Sequence, residues 1–391
     1  MTFGECRNYI RTRGKRSSDR EYKNTGAFSL SFIVFTQFVA GLVLGSVMYR
    51  SDFCMAGVFR DVFLFGDYLR MRALFLLVSL LALFIYLIRH FNLTSAYPPS
   101  FFGAPSAANL CGGLIFGIGM VLGGGCLLST LYKLGAGHTA SAITFCGVLF
   151  GGLVSAALYP MFRSFAAATV LVENKTALEH IVGSAGAPVL VTSLLAALLV
   201  ARWKKAGKLS QTAYARGYIQ LWKASLIMAL VIGTLQIFSG RPLAVSTGYD
   251  KLSGLLGRMF LPSLTGKLAF FHRETPRLLY GRIMDGGAAP VIDSVALTQL
   301  SFMAGVVSGS FISSLRLGEF KIRRMPPKRQ AFSAFFGGMF MAAGALMAGG
   351  CNLWHLIGGL PVFALQSMIF ALGIAGGAFL GSVFIRKAVF R

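Results

Sequence analysis

The sequence predicts an all-α polytopic membrane protein with about nine transmembrane helices plus short re-entrant or half helices, arranged as two pseudo-symmetric inverted repeats. Three observations lead there. Hydrophobic residues fill 55% of the 391 positions and charged residues 13%, against about 25% charged in a soluble domain. Mean hydropathy is +0.68. A glycine-rich segment in the first half recurs in the second.

The runs 28–48, 71–88, 107–122, 140–159, 188–201, 219–238, 294–315, 331–347 and 362–385 are apolar enough to span a bilayer, which takes about 20 residues per crossing. The first is too long for a secretory signal and lacks a small-residue cleavage site, so it reads as a retained span. Several others are short and interrupted by glycine. Transporters break helices in such segments, because irregular backbone within a membrane persists only when it lines a cavity or is buried in protein. The 47 glycines also serve close helix packing through small-xxx-small faces. The organisation follows: residues 1–27 form a basic polar tail, 28–201 a first membrane repeat, 202–218 a basic linker, and 219–391 a second repeat in which 240–292 is a non-membrane or partly re-entrant loop.

Net charge is +24. In a soluble protein that would raise nucleic acid as a partner, but the charge lies at 7–23, 202–216 and 316–329, beside apolar spans. Loops facing anionic lipid and cytoplasm carry such charge. A lipid bilayer, and not nucleic acid, is therefore the expected macromolecular surface. With the two later loops cytoplasmic, the first glycine-rich helix runs inward and the second outward, which gives inverted halves. The same count puts the basic N-terminus outside, against the positive-inside tendency.

The repeat is the strongest signal. An offset of 225 positions lays Gly112-Gly113 on Gly337-Gly338, Gly119 on Gly344, Gly124-Gly125-Cys126 on Gly349-Gly350-Cys351, Phe145 on Phe370 and Gly151-Gly152 on Gly376-Gly377. Repeats held in register at this length mark a duplicated unit. Each glycine-rich helix ends at a cysteine. Gly124, Gly125, Gly349 and Gly350 free the backbone to leave the helix and remove bulk beside the thiol. A thiol is soft and polarizable with a weak S–H donor, so Cys126 and Cys351 suit transient contacts with a soft anion. Read singly, each is a small buried hydrophobe.

The six cysteines contain no CxxC pair, so neither a disulfide framework nor a metal site is expected. His138 and His355 lie twelve and four residues after the repeat cysteines and form no duplicated Cys/His pair. No Walker glycine loop occurs, no cofactor is implied, and an enzyme is not expected. Cys54 sits among charges in Asp52-Phe-Cys54-Met-Ala-Gly57-Val-Phe59-Arg60-Asp61. Ionisable groups at membrane depth usually face a cavity or each other, so Arg60 and Asp61 either fix this segment with Cys54 pointing inward or belong to an interfacial loop.

The Phe-Cys-x-x-Gly-x-Phe-Arg-Asp segment, Gly124-Gly125-Cys126 and Gly349-Gly350-Cys351-Asn352 together resemble the YeeE/YedE family of membrane transporters for thiosulfate and other sulphur compounds, over roughly residues 41–386. The resemblance implies an hourglass-shaped helical permease in the inner membrane, with Cys54, Cys126 and Cys351 along the substrate path beside Asn352. It also implies a small cytoplasmic sulphurtransferase-like partner. Where family members often carry a cysteine or a Ser/Thr-Pro turn, this chain has Val245-Ser246-Thr247-Gly248; Ser246 and Thr247 supply hydroxyls to an oxyanion or form a plain turn. The competing reading is a membrane thiol-redox or sulphur-relay protein, or a transporter of selenium compounds.

Overall fold

Glycine decides where these helices approach one another and where they stop. The computed structural model describes residues 30–91, 102–173, 175–184, 186–210, 217–239, 242–273, 277–279, 282–284 and 286–388. The basic tail and Cys6 lie outside them. Along the chain run α1 (Leu30–Ser51), α2 (Met55–Phe65), α3 (Leu69–His90), α4 (Ala107–Leu122), α5 (Leu127–Gly135), α6 (Thr139–Ala168), α7 (Glu179–Val182), α8 (Gly186–Lys205), α9 (Leu221–Ser239), α10 (Ser246–Phe260) and α11 (Pro262–Thr265). A short hairpin of β1 (Arg277–Leu279) and β2 (Arg282–Met284) precedes α12 (Ser294–Arg316), α13 (Lys328–Ala348), a π-helical turn (Leu353–Gly359) and α14 (Leu365–Ala388). Among the described residues nine segments are long and apolar enough to cross a bilayer, α1 with α2 and α4 with α5 each counting as one. The protein is an all-α polytopic membrane protein.

The observed helices overrun several expected boundaries. α6 continues through Pro160 to Ala168, and α3 takes in Arg70, Arg89 and His90. Polar and charged residues at span ends reach interfacial water while the helix goes on, so hydropathy trims the ends of helices. Residues 51–68, between the first two expected spans, hold the short helix α2, and residues 240–292 hold α10.

Packing pairs elements of the two halves. α4 and α13 cross antiparallel, with Gly112 against the backbone of Gly344 and Ala348, and Gly337 against the backbone of Gly119 and Gly123. The 225-residue offset exchanges these two contacts. α4 meets α14 where Gly113 faces Phe370 and Ile374, and α13 meets α6 where Gly338 faces Thr144 and Val148, again close to an exchange. α1 lies along α12 through Gly41, Gly45, Gly305 and Gly309. At these sites a Cβ would come within 2.0–2.8 Å of the neighbouring helix backbone. The glycines set the interaxial distance.

One end of the bundle is basic. There Ile219 N–H donates to Arg50 O (2.8 Å) and Arg323 N–H to Gly137 O (3.0 Å), while the hydroxyls of Tyr49 and Tyr218 both reach the Glu319 carboxylate (2.8 and 2.7 Å). At the opposite end Leu365 N–H donates to Thr176 O (2.9 Å) and Ala107 N–H to Thr169 O (3.1 Å). α1 runs from that end toward the basic one, its first turn lying beside Leu297 of α12. Leu190, Val191, Leu194 and Leu198 of α8 are exposed, as the lipid-facing side of a span must be.

Candidate functional site

Three breaks between helices, two of them marked by glycine, bring cysteines inward. α1 stops at Ser51, Asp52 takes a left-handed φ of 49°, and Cys54 in extended conformation caps α2. α4 stops at Leu122, Gly124 takes φ 66°, and Cys126 caps α5. α13 stops at Ala348, Gly349 takes φ 78°, and Cys351 precedes the π-helical turn. Positive φ is open to glycine and strained for other residues, which accounts for Gly124 and Gly349. Gly125 and Gly350 have a different reason. A Cβ on Gly125 would lie 2.7 Å from Ser129 Oγ, and one on Gly350 would lie 2.4 Å from the Trp354 ring. The residue one turn into each following helix folds back over the glycine.

The three sulphurs are buried, with Cys54 4% and Cys126 and Cys351 0% exposed, and all belong to one core cluster. Cys126 N–H donates to Ser129 Oγ (2.5 Å), and Ser129 N–H points at Cys126 Sγ (3.5 Å). The Ser129 hydroxyl donates in turn to Cys126 O (3.0 Å), and its side chain lies beside the Cys54 thiol. Asn352 lies against the Cys126 sulphur, and its amide nitrogen and oxygen, both buried, have no hydrogen-bond partner. Cys351 is met by the backbone N–H groups of Val245 and Ser246 at the start of α10 and by those of Leu353 and Trp354. Tyr249 of α10 stands between, near both Cys126 and Cys351. Thr247 is buried in the first turn of α10 and Ser246 is half-buried.

Arg60 and Asp61 pair at 2.9 Å. The nearly buried Asp61 carboxylate also holds Arg70, which reaches back to Asp52. Gly57 is small because the Arg70 side chain crosses it, 3.1 Å from where a Cβ would sit. Lys133 Nζ donates to Gly124 O (2.7 Å) and faces the Cys54 thiol electrostatically.

Ser129, Tyr132, Lys133, Tyr249 and Arg70 were not singled out in the sequence. Cys126, Ser129, Thr130 and Lys133 follow the i, i+3, i+4, i+7 spacing of one helix face, and that signal was available for the first of them. Among the described residues no group of three His, Cys, Asp or Glu side chains is arranged to hold a metal.

The buried thiols therefore meet the positive ends of three short helices, α2, α5 and α10. Each helix N-terminus carries roughly half a positive charge and unsatisfied N–H groups, an environment suited to an anion. Comparison with known proteins agrees in class. The thiosulfate transporter TsuA of Spirochaeta thermophila is 28% identical over 343 residues, covering 86% of this chain and 94% of that protein. The Escherichia coli thiosulfate transporter TsuA is 25% identical over 340 residues, 82% and 86% of the two chains, and the probable transporter YedE of the same organism is 30% identical over 102 residues. A sulphur transport family model matches residues 50–380, and the chain belongs to that family of membrane transporters.

Proposed function

We propose that this protein is a permease for thiosulfate or a closely related sulphur anion, moving it along a path lined by Cys54, Cys126 and Cys351 with Asn352, Ser246 and Thr247. The observation that carries this reading is that three buried sulphurs share one core with the N-termini of α2, α5 and α10. The anion has two chemically different ends. Its oxygens match backbone N–H groups and helix-end partial charge, and its terminal sulphur matches thiols, whose weak S–H donors release what they hold. Weak contacts at several stations are what conduction needs, since tight binding at any one would stall the ligand.

The two halves act in this proposal as inverted copies related by an axis in the membrane plane. The antiparallel α4 and α13, with contacts that exchange under the 225-residue offset, support that relation. The glycine hinges then let each half move its cysteine against the other. Cys54 and Cys126 serve the basic end, and Cys351 the opposite end. By the positive-inside tendency the basic end faces the cytoplasm of an inner membrane, and there a small sulphurtransferase-like protein accepts the anion.

Uptake of radiolabelled thiosulfate into proteoliposomes tests this, with unlabelled sulfite, sulfate and selenium anions as competitors. Cys126→Ala and Cys351→Ala are each expected to lower the initial rate at least tenfold while reconstituting normally. Wild-type rates in both variants would remove the cysteine path.

A further inference from the structure

Beyond the cysteines, a cluster at the basic end has the composition of an anion site, and one anion of the protein itself already occupies it. Arg70, in the first turn of α3, stretches across Gly57 and splits its guanidinium between two carboxylates. One nitrogen pairs with Asp61, which is 3% exposed, and the other with the Asp52 carboxylate, whose side chain is 62% exposed. Arg70 Nε adds a 3.2 Å bond to the Asp52 carbonyl. Asp61 is thus the fixed anchor, held also by Arg60 at 2.9 Å. Asp52 is the removable one, carried on the three-residue break between α1 and α2 at φ 49°.

A second, independent observation points to a ligand here. Tyr132 of α5 is 2% exposed, and its hydroxyl has no hydrogen-bond partner. Its electrostatic neighbours are Cys54, Asp52, Cys126 and Arg70. A buried hydroxyl left unpaired costs about 1–3 kcal/mol, and the groups around this one are two thiols, a guanidinium and a displaceable carboxylate. Lys133, the next residue, adds an ammonium near Cys54. A fork of guanidinium N–H groups suits a planar or tetrahedral oxyanion as well as it suits a carboxylate.

We propose that Arg70 and Tyr132 form an oxyanion station between the basic-end mouth and Cys54, and that Asp52 is a built-in competitor filling it when no substrate is present. An incoming anion displaces the Asp52 carboxylate from Arg70 and accepts a hydrogen bond from the Tyr132 hydroxyl. Asp61 keeps the guanidinium in place throughout. The oxygens of the anion stay on Arg70 while its terminal sulphur reaches Cys54. Exchanging one anion for another keeps both sides of the guanidinium fork paired, one on Asp61 and one on the substrate. This rests on the transport reading and adds a site of selectivity to it.

Two measurements on the full-length protein test the station. The first is thiosulfate-dependent thermal stabilisation in detergent, with sulfate as the oxygen-only anion; the second is thiosulfate flux in proteoliposomes. Asp52→Asn removes the competitor and is expected to lower both the apparent Kd and the KM by about threefold, the worth of one solvent-exposed ion pair. Tyr132→Phe is expected to raise both by a similar factor with little change in the maximal rate, and Arg70→Lys to raise them further. Asp52 is exposed and Tyr132→Phe only deletes an unpartnered oxygen, so both variants should fold. If both bind and transport with wild-type constants, the station is wrong even if wild-type flux is robust. Shifted binding in a wild type that carries no flux would keep the station and sink the transport reading instead.

Discussion

The Tyr249 hydroxyl of α10 donates a 2.9 Å hydrogen bond to the Leu127 carbonyl at the start of α5, tying the second half to the first between Cys126 and Cys351. Both partners are buried. Tyr249→Phe leaves that carbonyl without its donor at a cost of about 1–3 kcal/mol. The expected result is a lower melting temperature in detergent and a reduced thiosulfate rate, since the ring between the two sulphurs loses the bond that fixes it to α5. A variant with wild-type melting and wild-type rate would show that the bond does not couple the halves.

Glycines at helix crossings should divide sharply by what a methyl group meets. A Cβ on Gly147 would sit 2.1 Å from Phe335 O and one on Gly344 2.5 Å from Gly112 O, whereas nothing lies within 4 Å at Gly376. Gly147→Ala and Gly344→Ala are expected to destabilise by about 1–3 kcal/mol or more through overpacking. Gly376→Ala should be neutral or stabilise by up to about 1 kcal/mol, the helix-propensity difference. Monodisperse yield and melting temperature of the three proteins decide it; equal loss in all three would mean that glycine acts here through flexibility.

Much of this was legible because it depends on chain-local chemistry. Nine apolar runs gave the spans, and the 225-residue offset picked out Gly124, Gly125, Gly349 and Gly350, whose positive φ and crowded neighbours are local consequences of a helix that stops inside the protein. What the sequence hid was contact between distant segments. Arg70 reads as an ordinary interfacial arginine until α3 is folded against α2, and Tyr249 as an unremarkable aromatic until α10 is tucked beside α5. The role of Asp52 is equally invisible, because its left-handed φ is imposed by the break between α1 and α2. Hydropathy also passed over Lys251, a fully buried charge within the stretch expected to be a non-membrane or partly re-entrant loop.

That lysine supplies a further test. Lys251 is 0% exposed, and its ammonium donates to Ala289 O (2.8 Å) and Val291 O (3.2 Å) and pairs with Asp293. Asp293 in turn caps α12 by accepting from Ala296 N–H (2.8 Å). The pair staples the segment before α12 onto α10, whose first turn contacts Cys351. Lys251→Met is expected to cost about 1–3 kcal/mol, because it leaves two carbonyls without their donor while the partly exposed Asp293 keeps its bond from Ala296 N–H. The double variant Lys251→Met with Asp293→Asn should lose clearly less than the two single losses combined. Strict additivity in the thermal double-mutant cycle would show that the two groups are stabilised independently.

The last prediction concerns acid. His138 lies between α5 and α6 at the basic end, where Gly137 O accepts from Arg323 N–H and Thr139 Oγ1 donates to Arg324 O (2.9 Å). Burial, with repulsion from Arg323 and Lys133 that Asp52 only partly offsets, lowers its pKa from the ordinary 6.5 to about 4. The unfolded chain therefore binds a proton on this residue more readily than the folded one between those two values. By linkage, folded stability rises with pH across that window. The contribution is complete above pH 6.5 and is lost as pH falls toward 4. His138→Asn should flatten the melting curve's dependence on pH between 6.5 and 4 relative to wild type, with carboxylate titrations common to both proteins cancelling in the difference. A steeper fall in the variant than in the wild type would mean that protonated His138 is stabilised by the loop, the reverse of the sign derived from its cationic neighbours.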